Sequence, residues 1–204
     1  MSKLKLGISL LVLIIMLLSG VALYATNGLN NTMNKQLSIL FKTPGRLTKT
    51  YDNLDSRYMI NYPVDWDYDK STAGTVIFSG REGVPSFVSS VNIQVVLTKS
   101  MKGEYSTVSD FMGDIKRQVK RQSSQADFIE EGPITIKQRD GELARGQYVI
   151  FTYQFNHQTI KQWQIVVLRH DGQVFYAWAY TSTASQYDMD LPIAKAMLDS
   201  WGIY

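Results

Sequence analysis

Three aspartates alternate at Asp65, Asp67 and Asp69. Spaced carboxylates open a calcium loop, because a hard divalent cation takes oxygen ligands. The EF-hand pattern then requires Gly at the sixth position and Glu at the twelfth. Lys70 and Val76 stand there instead, so the match fails. Solvated turn carboxylates are the first reading of this stretch, and a looser oxygen site for a divalent cation is the second. His157 falls in an expected hairpin turn and His170 at an expected strand end. Neither has a Ser and Asp arrangement that makes a triad. The chain has no cysteine, which excludes disulfides, thiol chemistry and a cysteine-linked lipid anchor. No P-loop, dinucleotide fingerprint or zinc-binding helix motif is present. The sequence assigns no catalytic residue, no metal ligand and no cofactor. The serines and threonines at Ser86, Ser89, Ser90 and Thr181–Ser185 read as turn and edge chemistry rather than nucleophiles.

Lys116, Arg117, Lys120 and Arg121 form the remaining cluster. Cations are favoured near a helix C-terminus, so a solvated helix end is the plainer reading. The functional reading is contact with lipid headgroups or an acidic partner. The formal charge is +3, with Lys3 and Lys5 supplying two of the positive charges. That balance does not describe a nucleic-acid-binding protein.

The elements that position these groups follow from hydrophobic periodicity. Residues 1–25 hold two lysines and an uncharged apolar run from Leu6 to Ala25. Twenty such residues suffice to span a bilayer. A cleaved signal peptide is the alternative, with Gly20-Val21-Ala22 as a processing site. In both cases the lysines stay on the cytoplasmic side, and the rest is periplasmic or otherwise extracytoplasmic. Residues 26–50 read as a juxtamembrane stalk, polar and Asn-rich. Within it Met33, Leu37, Leu40 and Phe41 have helical spacing.

Residues 51–204 read as one domain. Strands are expected over Tyr58–Tyr62, Thr75–Ser79 and Phe87–Thr98. A helix follows, with Val108, Phe111, Met112, Ile115 and Val119 on one face. Thr107 and Asp110 resemble its capping box. Four long strands come next, starting at Pro133, Glu142, Ile160 and Gln173, with Asp171-Gly172 as a hairpin signal. A second helix closes the chain. Pro192 fits its first turn, Gly202 its end, and Leu191, Ala194, Leu198 and Trp201 its apolar stripe. Tyr62, Pro63, Trp66, Trp178 and Trp201 mark the core. Trp66 is read as a plug on the sheet edge, since a single aromatic usually packs.

A first strand ending Tyr62-Pro63 and followed by Trp66, with "DGQVFYAWAYTS" and "AKAMLDSW" at the end, resembles the PsbP/Mog1-like superfamily, which includes bacterial PsbP-related and DcrB-like proteins. Ser200-Trp201 stands where that family often has Ser-Phe. The resemblance implies an α+β fold, an αβα sandwich around an antiparallel β-meander. It also implies a non-enzymatic accessory role, and no ligand set carries over. The combined reading is a single-pass, membrane-tethered interaction module that docks on a membrane-protein complex. An exported domain binding a small ligand or divalent cation is the alternative, and a hydrolase with a scattered site the weakest.

Overall fold

The computed structural model describes residues 47–71 and 74–204. The apolar run 6–25 and residues 26–46 of the expected stalk lie outside the described residues. No helix among the described residues is long and apolar enough to cross a membrane.

Seven strands form the main sheet: β3 (Trp66–Lys70), β4 (Thr75–Gly80), β5 (Ser90–Leu97), β6 (Asp127–Lys137), β7 (Leu143–Phe155), β8 (Gln158–Leu168) and β9 (Val174–Thr183). Their order is β3-β4-β5-β9-β8-β7-β6, and every neighbouring pair is antiparallel. The last four strands are the expected meander, and β9 feeds it back against β5. In β9 all residues but the last are buried. A strand that is apolar on both faces needs a layer on each side, and each side receives one.

On one side lies α1 (Val108–Gln122). Its stripe of Phe111, Met112, Ile115 and Val119 packs with Val149, Phe151, Val166 and Phe175. Its start is fixed by the capping box: Asp110 N–H donates to Thr107 Oγ1 at 3.0 Å, and Thr107 N–H to Asp110 Oδ2 at 3.1 Å. On the other side lie α2 (Tyr187–Ser200) and a second, three-stranded sheet. That sheet has the order β1-β2-β10, with β1 at Leu47–Asn53, β2 at Tyr58–Pro63 and β10 at Gly202–Ile203. Tyr58, Ile60, Ala194, Met197 and Trp201 share one core with Tyr176, Trp178 and Tyr180. The second helical layer is therefore half helix and half sheet.

Five elements depart from the sequence expectation. The first strand starts at Leu47, within the stretch 26–50; only Tyr51 in it is buried, so no apolar alternation announces it. The strand Tyr58–Pro63 joins the small sheet instead of the main one. Phe87 and Val88 belong to a 3₁₀ turn, Pro85–Val88, opened by proline. The β6 strand begins at Asp127, six residues before Pro133. The α2 helix begins at Tyr187, so Pro192 sits in its second turn, and Gly202 enters β10 instead of capping the helix.

Tyr62, Pro63, Trp66, Trp178 and Trp201 are all buried. Trp66 opens β3 and donates from Nε1 to Ser86 Oγ at 2.9 Å.

Candidate interaction face

The basic cluster occupies the last two turns of α1. Residues four apart align on a helix and adjacent ones diverge by about 100°. Lys116 and Lys120 therefore form one row and Arg117 and Arg121 another. The lysine row leans toward β6. Lys116 pairs with Glu131, and both ammonium groups stand over the Phe128 ring, at 5.9 and 5.5 Å from its centre. Lys120 also donates to the Ala126 carbonyl. Arg117 pairs with Asp114 at 3.1 Å. Arg121 is exposed and has no ion-pair partner among the described residues. Two carboxylates thus offset two of the four charges locally. Lys120 and Arg121 keep theirs.

Asp114 organises the side of the helix away from β6. It accepts from Tyr105 Oη at 2.8 Å and from Gln118 Nε2 at 2.7 Å. Burial pushes its carboxyl up, but the hydrogen bonds from Tyr105, Gln118 and Arg117 outweigh that and hold it below the usual Asp range. The Tyr105 hydroxyl moves the other way, raised by burial and then by the bond to Asp114.

The β6 strand supplies what the sequence reading missed. A bulge separates the pairs Phe128–Phe151 and Glu130–Ile150, leaving Ile129 without a cross-strand partner. A bulge re-aims the extra side chain, and Ile129 stands 55% exposed. The α1–β6 edge thus carries Lys120 over the Phe128 ring, the exposed Arg121 next to Lys120 on the helix, and the exposed Ile129 next to Phe128 on the edge strand. The bulge breaks the alternation of "DFIEEG", which is why the period-2 signal failed there. The pairing of "FI" with following glutamates opposite a basic helix end was the available clue.

The other singled-out residues do not converge. Asp67 lies on β3, where it takes a two-pronged clamp from Arg81, Nε to Oδ2 at 2.8 Å and Nη2 to Oδ1 at 2.9 Å. Lys49 adds a contact at 3.4 Å. The Arg81 hydrogen bonds hold the Asp67 carboxyl low. The turn expected over Asp65–Asp69 is thus mostly strand, and its central carboxylate is already engaged. Among the described residues no three acidic, His or Cys side chains are grouped to hold a metal ion. His157 and His170 flank opposite ends of β8, roughly 35 Å of strand apart at 3.3 Å per residue, too far to share a site. His170 Nδ1 lies 3.6 Å from Asp140 and 3.3 Å from Gln138 Oε1.

Ser89 is a buried hub and not edge chemistry. Its Oγ lies 2.6 Å from Asp190 Oδ2 and 2.8 Å from Ser182 Oγ. Gln186 Nε2 donates to the same Asp190 oxygen at 3.2 Å. Burial raises the Asp190 carboxyl above its usual value.

No protein-family model matches the chain, and no curated protein matches it in sequence. Solved structures do. Cyanobacterial PsbP (CyanoP) from Synechocystis sp. PCC 6803 superposes with a TM-score of 0.54 at 14% identity, over 76% of this chain and 92% of that one. The Ran-binding protein Mog1p of Saccharomyces cerevisiae gives 0.53 at 9% identity, over 76% and 94%. The chain has the PsbP/Mog1-like fold. At these identities the likeness concerns architecture, so no residue role passes from either protein. The PsbP/Mog1-like sheet here presents the α1–β6 ridge at one edge and the Asp67–Arg81 clamp at the other.

Proposed function

We propose that the protein is a non-catalytic accessory module that docks on a larger membrane-associated protein complex. Residues 6–25 tether it to the bilayer, and the domain faces the extracytoplasmic side. The observation that carries the reading is the ridge of α1 and β6. There Lys120 stands over the Phe128 ring, the bulge residue Ile129 that follows Phe128 is exposed, and no described carboxylate pairs with Lys120 or the exposed Arg121. An interface combines an apolar anchor with a charged rim, and this ridge offers both. It fits a partner surface that is acidic around a small apolar depression. The shared architecture with Mog1p, described as a Ran-binding protein, shows that this fold can serve protein recognition.

The test is the mass of the native assembly. The full chain, tagged at its C-terminus and extracted in mild detergent, is expected to travel with a protein partner well above monomer mass. Migration as a monomer, under conditions that keep other membrane complexes whole, would remove the docking reading.

A further inference from the structure

The loop from β5 to α1 and the turn from β8 to β9 meet at one end of the main sheet. Thr98, 4% exposed, joins them. Its N–H donates to the Gln173 carbonyl at 3.0 Å, and its Oγ1 to the Gly172 carbonyl at 2.9 Å. The loop also holds itself. Lys99 N–H donates to the Tyr105 carbonyl at 2.7 Å, and Gly103 N–H to the Thr98 carbonyl at 2.9 Å. Tyr105 is fixed in turn, because its ring stacks on Phe111 with centres 4.5 Å apart and its hydroxyl donates to Asp114. Between loop and turn lies a cleft of about 370 Å³, lined by Thr98, Lys99, Ser100, Ser106 and Gly172. Small-molecule sites run from about 300 to 1,000 Å³.

The lining joins an ammonium to hydroxyls, and among the described residues no carboxylate belongs to it. Lys99 and Ser106 are exposed, and neither side chain has a partner among the described residues. Ser100 Oγ lies 2.8 Å from Thr98 Oγ1, which ties it to the buried wall. Gly172, at φ 71°, adds no side chain, and a Cβ there would meet no atom within 4 Å. The carboxylate beside it in the chain, Asp171, is engaged by Arg169 at 2.7 and 2.9 Å. Across residues 98–106 Lys99 and Lys102 stand against a single acidic residue, Glu104.

We propose that this cleft binds the phosphate group of a phosphate ester. An unpaired ammonium and neighbouring hydroxyls are the donors a tetrahedral oxyanion requires. Lysine meets phosphate as a point charge, whereas a planar carboxylate favours the fork of arginine. Among the described residues no arginine lines the cleft. A bare phosphate would leave most of the volume empty, so an ester with an organic substituent fills it better. Leu97, 50% exposed, precedes Thr98, and Met101, 43% exposed, follows Ser100. Both offer that substituent apolar contact at the rim. A soluble ester and a lipid headgroup share this chemistry. The inference goes beyond the docking function and survives its failure.

The test is calorimetric titration of the full chain, held in phosphatidylcholine nanodiscs, with glycerol 3-phosphate and with inorganic phosphate. Glycerol 3-phosphate is expected to bind saturably, and inorganic phosphate more weakly. Lys99→Glu should weaken the ester at least tenfold, as loss of a charged hydrogen bond does, and Ser106→Ala should weaken it less. Lys99→Gln repeats the measurement should charge reversal disturb folding, as read by circular dichroism. Arg121→Glu should leave binding unchanged. The chain has no native cysteine, so a polarity-sensitive fluorophore on Met101→Cys separates the two sources. A blue shift in nanodiscs containing phosphatidylglycerol, absent in phosphatidylcholine alone, would assign the cleft to a lipid headgroup, and no shift would assign it to a soluble ester. No saturable heat at about 10 mM glycerol 3-phosphate would overturn the proposal. Binding that Arg121→Glu abolishes and Lys99→Glu leaves intact would place the anion on the helix end and overturn it too.

Discussion

Trp201 meets Tyr176 edge to face, with ring centres 5.9 Å apart and planes at 85°. Tyr176 in turn donates from its hydroxyl to the Ser56 carbonyl at 2.7 Å. One aromatic pair thus ties the end of α2, the central strand and the β1–β2 turn together. Such a pair is worth about 0.5–1.5 kcal/mol beyond the area it buries. Trp201 is only 2% exposed, so Trp201→Ala is expected to cost about 3–5 kcal/mol in urea unfolding of the full chain. The Trp201 Nε1 atom is buried without a partner. Trp201→Phe removes that orphan donor and keeps a ring, and it should cost less than half as much. Equal losses in the two variants would mean that the indole edge itself is essential.

The turn joining β7 to β8 holds two residues, Asn156 at φ 45° and His157 at φ 62°. Both signs are positive, the pattern of a type I′ hairpin. Asn tolerates this region, whereas His carries the Cβ clash of about 1–2 kcal/mol. Glycine removes that clash but adds freedom to the unfolded chain, worth about 0.5–1 kcal/mol. His157→Gly is therefore expected to stabilise by about 0.5–1 kcal/mol. A lower denaturation midpoint would assign His157 a stabilising contact beyond its backbone role.

Asp190 predicts a pH dependence. Its folded-state carboxyl is raised by burial, so the native state holds the proton more tightly than the unfolded chain. Stability from this group is full below the ordinary Asp value of about 3.9 and falls as pH climbs through the raised one. Asp190→Asn keeps an oxygen for Ser89 and Gln186 and removes the ionisation. The variant should match the parent at low pH and exceed it at pH 7, with a flatter profile between. Parallel profiles would mean that the carboxyl is already ionised without penalty.

Legibility followed burial. The β8 and β9 strands and the α1 helix were readable because their apolar residues recur at periods of 2 and 3.6. The Thr107–Asp110 box was readable because a cap is a local device. The first strand was not, since Tyr51 is its one buried residue and its partners arrive from β2 and, through that strand, the C-terminus. The start of β6 was hidden by the bulge at Ile129, which shifts the register by one. For the candidate face, the sequence supplied the four cations but not their partners. Glu131 lies fifteen residues beyond Lys116, and only the β6 fold-back brings the two together.

Those partners decide which charges can test the docking face. Lys116→Glu would set a carboxylate against Glu131, and Arg117→Glu would set one against Asp114. Both changes disturb the fold as well as the surface. Lys120 is entangled too, through its bond to the Ala126 carbonyl. Arg121 is exposed and has no ion-pair partner among the described residues, and Ile129 is the exposed bulge residue. Arg121→Glu is expected to slow association and to remove part of its salt dependence, because a rim charge acts mainly on the on-rate and is screened within about 8 Å at physiological ionic strength. Ile129→Asp should act on the lifetime of the complex and persist in high salt, as loss of an apolar anchor does. Each should leave thermal stability within about 0.5 kcal/mol of the parent. Retention of the partner unchanged in the double variant, at low and high salt alike, would move the search to the opposite edge of the sheet, where Tyr68 stands 45% exposed beside the Asp67–Arg81 clamp.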